Sequence, residues 1–156
     1  VKLKSFSYQK EGEEIPIQLL IPERLDEQNK YPIYMHIQGS AWMKQDMYNH
    51  IEDLKYIASK GYIVAILGYR PTPKYLFPTQ VKDAKSGVRY LHEHQEELGI
   101  DFSKAYIGGD SSGGHTALMC YVSYQTDLFD DEKSEFPALM NMIFEQTIYE
   151  ADLTLF

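Results

Sequence analysis

Residues 107–115 read Ile-Gly-Gly-Asp-Ser-Ser-Gly-Gly-His, and the five residues Gly109-Asp110-Ser111-Ser112-Gly113 within them fit the pattern G-x-S-x-G. A short apolar stretch of strand character, 105–107, precedes the pattern, and a stretch of helical character, from about 112 to 124, follows it. A strand-turn-helix setting of this kind lifts a serine clear of the backbone, where its hydroxyl is free to attack a substrate. The sequence therefore predicts that Ser111 is a nucleophile at a sharp bend.

The small residues around this serine have a mechanical purpose. Gly109 and Gly113 let the strand and the helix approach each other without a collision of Cβ atoms. The start of the helix directs amide groups and its positive dipole end at the same point, so Ser112 N–H is the expected first donor to an oxyanion. Two alternatives are an ordinary glycine-rich turn and a phosphate-binding loop. A G-x-x-x-x-G-K loop needs a lysine that is absent here, and a dinucleotide loop normally follows the first strand of its sheet.

A second block of small residues, Gln38-Gly39-Ser40-Ala41-Trp42, comes directly after the mostly apolar stretch 31–37. Small side chains allow backbone N–H groups to face a ligand. In folds that hold a serine at a strand-to-helix bend, a loop that follows an earlier strand supplies the second oxyanion donor for acyl transfer. The alternative is an ordinary loop between a strand and a helix.

Strand and helix patterns alternate along the rest of the chain. The first two extended stretches, 1–8 and 15–21, indicate an antiparallel ribbon. Further strands are predicted at 31–37, 62–67, 105–107 and 139–144, and helices at about 49–60, 79–98 and 112–124. Because parallel strands need crossover connections, which helices supply, this alternation predicts an α/β fold with a mostly parallel sheet.

The composition excludes several classes of protein. A chain of 156 residues with 44% hydrophobic content can bury one core, and its net charge of −8 repels nucleic acid. No run approaches the roughly 20 apolar residues of a membrane span, and the first ten residues lack the apolar stretch of a signal peptide, so we expect no membrane span and a cytoplasmic location. Cys120 has no partner for an internal disulfide and is expected in the core. The histidines lack paired ligands and the acidic stretch 127–135 reads as a solvated connector, so we predict no metal site and no cofactor.

Three blocks of this sequence together resemble the α/β-hydrolase superfamily, specifically the bacterial esterase/lipase group related to hormone-sensitive lipase, feruloyl esterases and acetyl esterases. The blocks are 37–42, then Gly68-Tyr69-Arg70-Pro71 with Phe77-Pro78 and Asp83, and then 107–115. Their order and spacing agree with that group. The resemblance implies a three-layer α/β-hydrolase sandwich and a carboxylesterase-type activity.

The resemblance also assigns expected roles to residues of the predicted site. Ser111 resembles the nucleophile and Ser112 the oxyanion donor that follows it, while Ser40 and Ala41 resemble the glycines whose N–H groups complete the oxyanion hole. Gly39 is expected to make the tight turn. Such enzymes usually carry His-Gly-Gly-Gly in this loop, whereas this chain has Gln38 in place of the histidine and serine and alanine in place of two glycines. Tyr69, Arg70 and Asp83 are expected to be structural.

The acid and the histidine that complete a catalytic triad on this fold follow the nucleophile in the chain. The 45 residues after Ser111 contain one histidine, His115, which lies on the nucleophile's own helix and ahead of any candidate acid. We therefore expect residues 1–156 to be a single partial domain that lacks the cap and the last strands and is truncated after about the sixth strand. The sixth strand would then be an exposed apolar edge, which predicts homo-oligomers.

The predicted function is hydrolysis of small or short-chain acyl esters, with Ser111 as the nucleophile and a base from outside this segment. Because a serine without its base is a weak nucleophile, this chain alone is expected to be a severely impaired enzyme. A first alternative is a serine peptidase of the prolyl-oligopeptidase type, which shares the bend but usually lacks the loop that follows the third strand. A second alternative is a truncated, catalytically impaired hydrolase fold that serves as a binding or assembly module.

Overall fold

The computed structural model describes residues 1–23, 28–138 and 141–144, the last four by their backbone. These residues form six strands, β1 Lys2–Lys10, β2 Glu13–Ile21, β3 Tyr31–Ile37, β4 Ile63–Leu67, β5 Ile100–Gly109 and β6 Asn141–Phe144. They also form four helices, α1 Ile51–Ser59, α2 Thr79–Glu93, α3 Gln95–Leu98 and α4 Ser111–Ser123.

The six strands form one mixed sheet in the order β1-β2-β4-β3-β5-β6. The pairs β1–β2 and β2–β4 are antiparallel, and β4–β3, β3–β5 and β5–β6 are parallel. The antiparallel ribbon and the mostly parallel sheet are therefore confirmed. Strand β6 lies last in the order of the described strands, and self-association through its edge stays a prediction.

The core consists of two hydrophobic clusters on opposite faces of the sheet. The larger cluster joins the sheet to α2 and α4 and includes Cys120, as expected. The smaller cluster joins it to α1 through Leu54 and Ala58. Strand β4 supplies side chains to both clusters in alternation, since successive side chains of a strand point to opposite faces. The result is the predicted three-layer sandwich.

The predicted single helix from Thr79 to Leu98 is wrong, because α2 and α3 are separated at His94. This residue has φ −100° and ψ 11°, outside the helical region. Its backbone N–H and its Nδ1 both bond to the carbonyl oxygen of Tyr90, at 3.1 Å and 2.7 Å. A side chain that bonds to the local backbone competes with helix continuation in this way. The chain then ends α3 at Gly99 with φ 68°, the predicted helix stop.

Strand β5 is longer than the predicted 105–107. The prediction was too short because a bulge interrupts the alternation of side chains in the first half of the strand. Partners on β3 advance from Pro32 to Ile33 while those on β5 advance from Asp101 to Ala105. The extra residues break the alternation that marks a strand. Of the predicted sixth strand, the structure describes Asn141–Phe144, and residues 139 and 140 lie outside the described residues.

The acidic stretch 127–135 is mostly exposed, as predicted, but ion pairs also hold it against the rest of the fold. Asp130 pairs with the buried Arg89 at 2.6 Å, and Asp131 pairs with Lys10 at 3.0 Å. Glu132 also contacts Arg89, at 3.3 Å. The stretch therefore packs against α2 and β1 through ion pairs whose partners are distant in the sequence.

No helix among the described residues is long and apolar enough to cross a membrane.

Candidate active site

Ser111 lies at the bend between β5 and α4, as predicted. Asp110, just before it, is extended, with φ −112° and ψ 151°. Ser111 itself has φ 52°, in the left-handed region that residues with a side chain rarely adopt. A single left-handed residue between a strand and a helix reverses the chain sharply. The half-buried serine is therefore placed where the helix begins.

The glycines at 109 and 113 are required because the end of β3 passes very close to this bend. A Cβ atom on Gly113 would collide with the carbonyl oxygen of Ile37, and one on Gly109 would collide with the same oxygen. Backbone atoms on both sides of the contact leave no flexible group to move away. A Cβ atom on Gly109 would also lie 2.6 Å from the carbonyl carbon of Gly113, so β5 and α4 approach each other closely at these glycines, as expected.

The loop 39–42 lies directly against Ser111. A Cβ atom on Gly39 would lie 2.5 Å from Ser111 Cβ and 2.7 Å from the carbonyl oxygen of Asp110. The expectation that Gly39 makes the tight turn is wrong, since the left-handed residues of the loop are Ala41, with φ 52°, and Trp42, with φ 59°. Glycine is needed at 39 for the close contact with Ser111, and the turn is made two residues later.

Three of the four amide groups of this loop, those of Gly39, Ser40 and Trp42, have acceptors within the protein. Gly39 N–H donates to Asp110 Oδ1 at 3.1 Å. Ser40 N–H and Trp42 N–H both donate to Ser112 Oγ, at 3.0 Å and 3.2 Å. Ser112 N–H is in the first turn of α4, where amides have no partner inside the helix. The structure thus brings Ser40 and Ser112 together beside Ser111. The N–H of Ser40, one predicted oxyanion donor, is already hydrogen-bonded to the side chain of Ser112, the other predicted donor.

A buried polar chain beneath the bend was missed by the sequence analysis. His36 is fully buried on β3 and bonds through Nδ1 to Tyr34 OH at 2.8 Å and through Nε2 to Asp110 Oδ1 at 3.2 Å. His50 Nε2 lies 3.6 Å from Asp110 Oδ2. Positions 34, 36 and 38 share one face of a strand, which was the available signal. Asp110 therefore joins the serine bend to β3 and to the loop 39–42.

Competing effects set the pKa of the Asp110 carboxyl. Burial alone raises this pKa, but hydrogen bonds from His36 and from the N–H of Gly39 outweigh burial, with a further contribution from the charge of His50. The net result is a pKa below the usual value. The carboxylate form is thus favoured in the folded protein, where it holds Gly39 against the bend.

This lowered pKa predicts how stability changes with pH for Asp110→Asn. A carboxyl whose folded pKa lies below its unfolded value of about 3.9 stabilises the fold above that pH and loses its contribution as pH falls through the folded pKa. The wild type should therefore exceed the variant in free energy of unfolding near about pH 5, and the difference should shrink toward about pH 3. Urea denaturation at both pH values measures this difference. A difference that does not change with pH contradicts the prediction.

The other residues singled out by the sequence support the loop. Gln38 is buried, and its Nε2 donates to the carbonyl oxygens of Met47 and Asn49, both at 2.9 Å. Tyr69 OH lies 2.6 Å from Ser40 Oγ. Burial raises the pKa of Tyr69, and hydrogen bonds with Ser40 and Ser112 reduce that effect without cancelling it, so the phenol stays neutral.

The only histidine after Ser111 in the sequence, His115, packs with its ring edge-on to Trp42, with the ring centroids 5.5 Å apart. Trp42 Nε1 in turn donates to Thr116 Oγ1 at 3.2 Å. Carboxylates close enough to share a metal ion occur, among the described residues, at Asp130, Asp131 and Glu132. Arg89 and Lys10 already pair with those three. We therefore assign them to the docking of the acidic stretch.

An α/β sandwich of this strand order, with a serine in the left-handed backbone region at the strand-to-helix bend, defines the class of α/β-hydrolases. Comparisons with known proteins agree. The structure of a bacterial heroin esterase superposes with a TM-score of 0.77 at 27% identity, covering 92% of this chain and 43% of that one. An esterase structure from Pseudomonas putida has the same fold, with a TM-score of 0.74 at 22% identity, covering 90% of this chain and 42% of that one.

Sequence comparison identifies the family. The BD-FAE family model matches residues 18–146, and the chain belongs to this family. Ethyl acetate hydrolase of Pseudomonas putida is 30% identical over 111 residues, 70% of this chain and 35% of that protein. Esterase LipI of Mycobacterium tuberculosis is 26% identical over 99 residues, 63% of this chain and 31% of that protein. The chain thus spans about a third of the length of these relatives, and its resemblance to bacterial α/β-hydrolase esterases is confirmed.

Proposed function

We propose that this chain carries the nucleophile and the oxyanion loop of a serine carboxylic ester hydrolase that acts on small or short-chain acyl esters. The observation that carries the proposal is the left-handed bend at Ser111, with Gly39 of the neighbouring loop packed directly against it. The names of the relatives support the choice of substrate, because ethyl acetate hydrolase is named for an ester with a small acyl group and the heroin esterase is named for action on an ester.

In this mechanism Ser111 Oγ attacks the ester carbonyl carbon, and the carbonyl oxygen becomes an oxyanion. The N–H groups of Ser112, Ser40 and Ala41 are the proposed donors to this oxygen, close to the positive end of α4. The serine proton passes to a base from outside this segment, which then delivers it to the leaving alcohol. Water releases the acyl group in a second cycle of the same steps. Removing one oxyanion donor typically costs about 10²–10³ in kcat.

The test of the nucleophile is Ser111→Ala. We expect wild-type protein to be labelled by a fluorophosphonate probe at Ser111 and to cleave a chromogenic acetyl ester slowly, and we expect the variant to lose both. Ser103→Ala, which removes an exposed serine from β5, is the matched control and should keep both. Intact-protein mass and peptide mapping locate the label.

Three results would contradict the proposal. Labelling that persists in Ser111→Ala places the reactive group elsewhere, and absence of labelling in wild-type protein favours the binding-module alternative. Faster cleavage of a prolyl peptide than of the acetyl ester would instead favour a peptidase. The loop 39–42 favours the ester hydrolase, because peptidases of that type usually lack it.

A further inference from the structure

The hydroxyl of Ser112 lies at the centre of the loop that is proposed to bind the oxyanion. The side chain is fully buried and accepts the N–H groups of Ser40, at 3.0 Å, and Trp42, at 3.2 Å. Tyr69 OH contacts it as well. One of the amides expected to stabilise the transition state therefore already has an internal acceptor.

The loop has enough other anchors to keep its position without this hydroxyl. Gly39 N–H is held by Asp110 at 3.1 Å. The carbonyl oxygen of Trp42 accepts both the N–H and the Oγ1 of Thr72, at 2.9 Å and 3.0 Å. The Trp42 indole donates to Thr116, and Ser40 Oγ bonds to Tyr69 OH at 2.6 Å. The further effect of Ser112 Oγ is that it accepts hydrogen bonds from the Ser40 and Trp42 amides, which these amides would otherwise have available for a ligand.

We propose that the Ser112 side chain is an internal competitor for the oxyanion hole, so that its hydroxyl must release Ser40 N–H before a substrate oxyanion binds there. The inference rests on the proposed function, which supplies the oxyanion. An amide N–H makes one strong hydrogen bond, so binding an oxyanion to Ser40 N–H requires loss of the internal bond. Ser112 is thus a positioning residue that acts through Ser40, because its hydroxyl competes for the Ser40 N–H and so weakens oxyanion binding. The N–H of Ser112 itself remains a donor to the oxyanion.

The experiment measures anion binding without the chemical step. We would titrate ¹⁵N-labelled Ser111→Ala and Ser111→Ala/Ser112→Ala proteins with methylphosphonate, a mimic of the tetrahedral oxyanion, and follow the amide resonances of Ser40, Ala41 and residue 112. Loss of the hydroxyl should tighten binding roughly tenfold, equivalent to about 1.4 kcal/mol. Hydrogen exchange at Ser40 and Trp42 should also become faster, because both amides lose their acceptor.

A second substitution guards against poor folding of the alanine variant. Ser112→Cys keeps nearly the same volume but offers sulfur, a weak acceptor, and should shift affinity in the same direction. Ser112→Thr keeps the hydroxyl and should bind methylphosphonate as weakly as the protein with serine. Equal or weaker binding after loss of the hydroxyl overturns the inference.

The labelling experiment on Ser111 separates this inference from the proposed function. Tighter phosphonate binding without Ser112 Oγ, together with an unreactive Ser111 in wild-type protein, supports the competitor role and counts against the nucleophile. A reactive Ser111 together with unchanged phosphonate affinity supports the nucleophile and overturns the competitor role.

Discussion

Replacement of Gly113 by alanine is expected to lower the free energy of unfolding by about 3 kcal/mol or more. The added Cβ would overlap the carbonyl oxygen of Ile37 and lie 2.6 Å from its carbonyl carbon and 2.8 Å from that of Gln38. These are backbone atoms of the central strand β3 and of the residue after it, so relief requires α4 to move away from the sheet. Such a movement displaces Ser111, and we expect labelling at Ser111 to be lost in any variant protein that folds.

Urea denaturation followed by circular dichroism measures the loss for Gly113→Ala. Gly87→Ala is the matched control, because Gly87 is also a buried helical glycine. An added Cβ there meets a flexible atom, Leu67 Cδ2, at 3.2 Å, and alanine favours a helix by about 1 kcal/mol over glycine. Stability of Gly113→Ala equal to that of the control would show that the strand and helix are not in tight contact.

Replacement of Asp83 by alanine is expected to cost roughly 3–5 kcal/mol, the usual loss when one partner of a buried ion pair is removed. Asp83 has no exposed surface and accepts the backbone N–H of Arg70 at 2.8 Å and guanidinium Nη2 at 2.8 Å. Lys10 Nζ lies 3.7 Å away. Without the carboxylate, the guanidinium stays almost fully buried, with Glu11 as its remaining acidic partner at 2.7 Å.

Thermal and urea unfolding of Asp83→Ala check this expectation. Glu13→Ala is the control, because it removes the exposed Glu13–Lys74 pair, whose atoms are 2.9 Å apart, and should shift the unfolding midpoint far less. Asp83→Asn keeps the shape without the charge and should fall between wild type and Asp83→Ala. A loss for Asp83→Ala as small as that of the control would contradict the structural role.

Asp83 also supports the proposed active site through a short series of contacts. It fixes Arg70, whose neighbour Tyr69 bonds to Ser40 in the loop beside Ser111. The sequence analysis expected Tyr69, Arg70 and Asp83 to be structural, and these contacts agree with that expectation. We therefore expect Asp83→Asn to lower the labelling rate at Ser111 more than its effect on stability alone explains.

Features of the sequence that act over a few residues determined the class of this protein. The G-x-S-x-G pattern between a strand and a helix predicted the bend at Ser111, because the strain and the small neighbours that make such a bend are local. Alternating strand and helix patterns predicted the α/β sandwich, and Gly99 marked the end of a helix. At Ser111 and Gly99 the left-handed backbone is a local feature, whereas the need for glycine at 109 and 113 also comes from the distant Ile37.

Tertiary structure alone decided which groups meet around that bend. Ser112 Oγ accepts hydrogen bonds from amides about 70 residues earlier in the chain, Asp110 bonds to His36, and Arg89 pairs with Asp130 of the acidic stretch. The order of the strands brings β3 beside β5 and so sets these distances. Hydrogen bonds and ion pairs depend on separations of a few ångströms, which the strand patterns do not specify. For this reason the bend at Ser111 was predictable from sequence, whereas the hydrogen bonds made by the neighbouring amide groups were not.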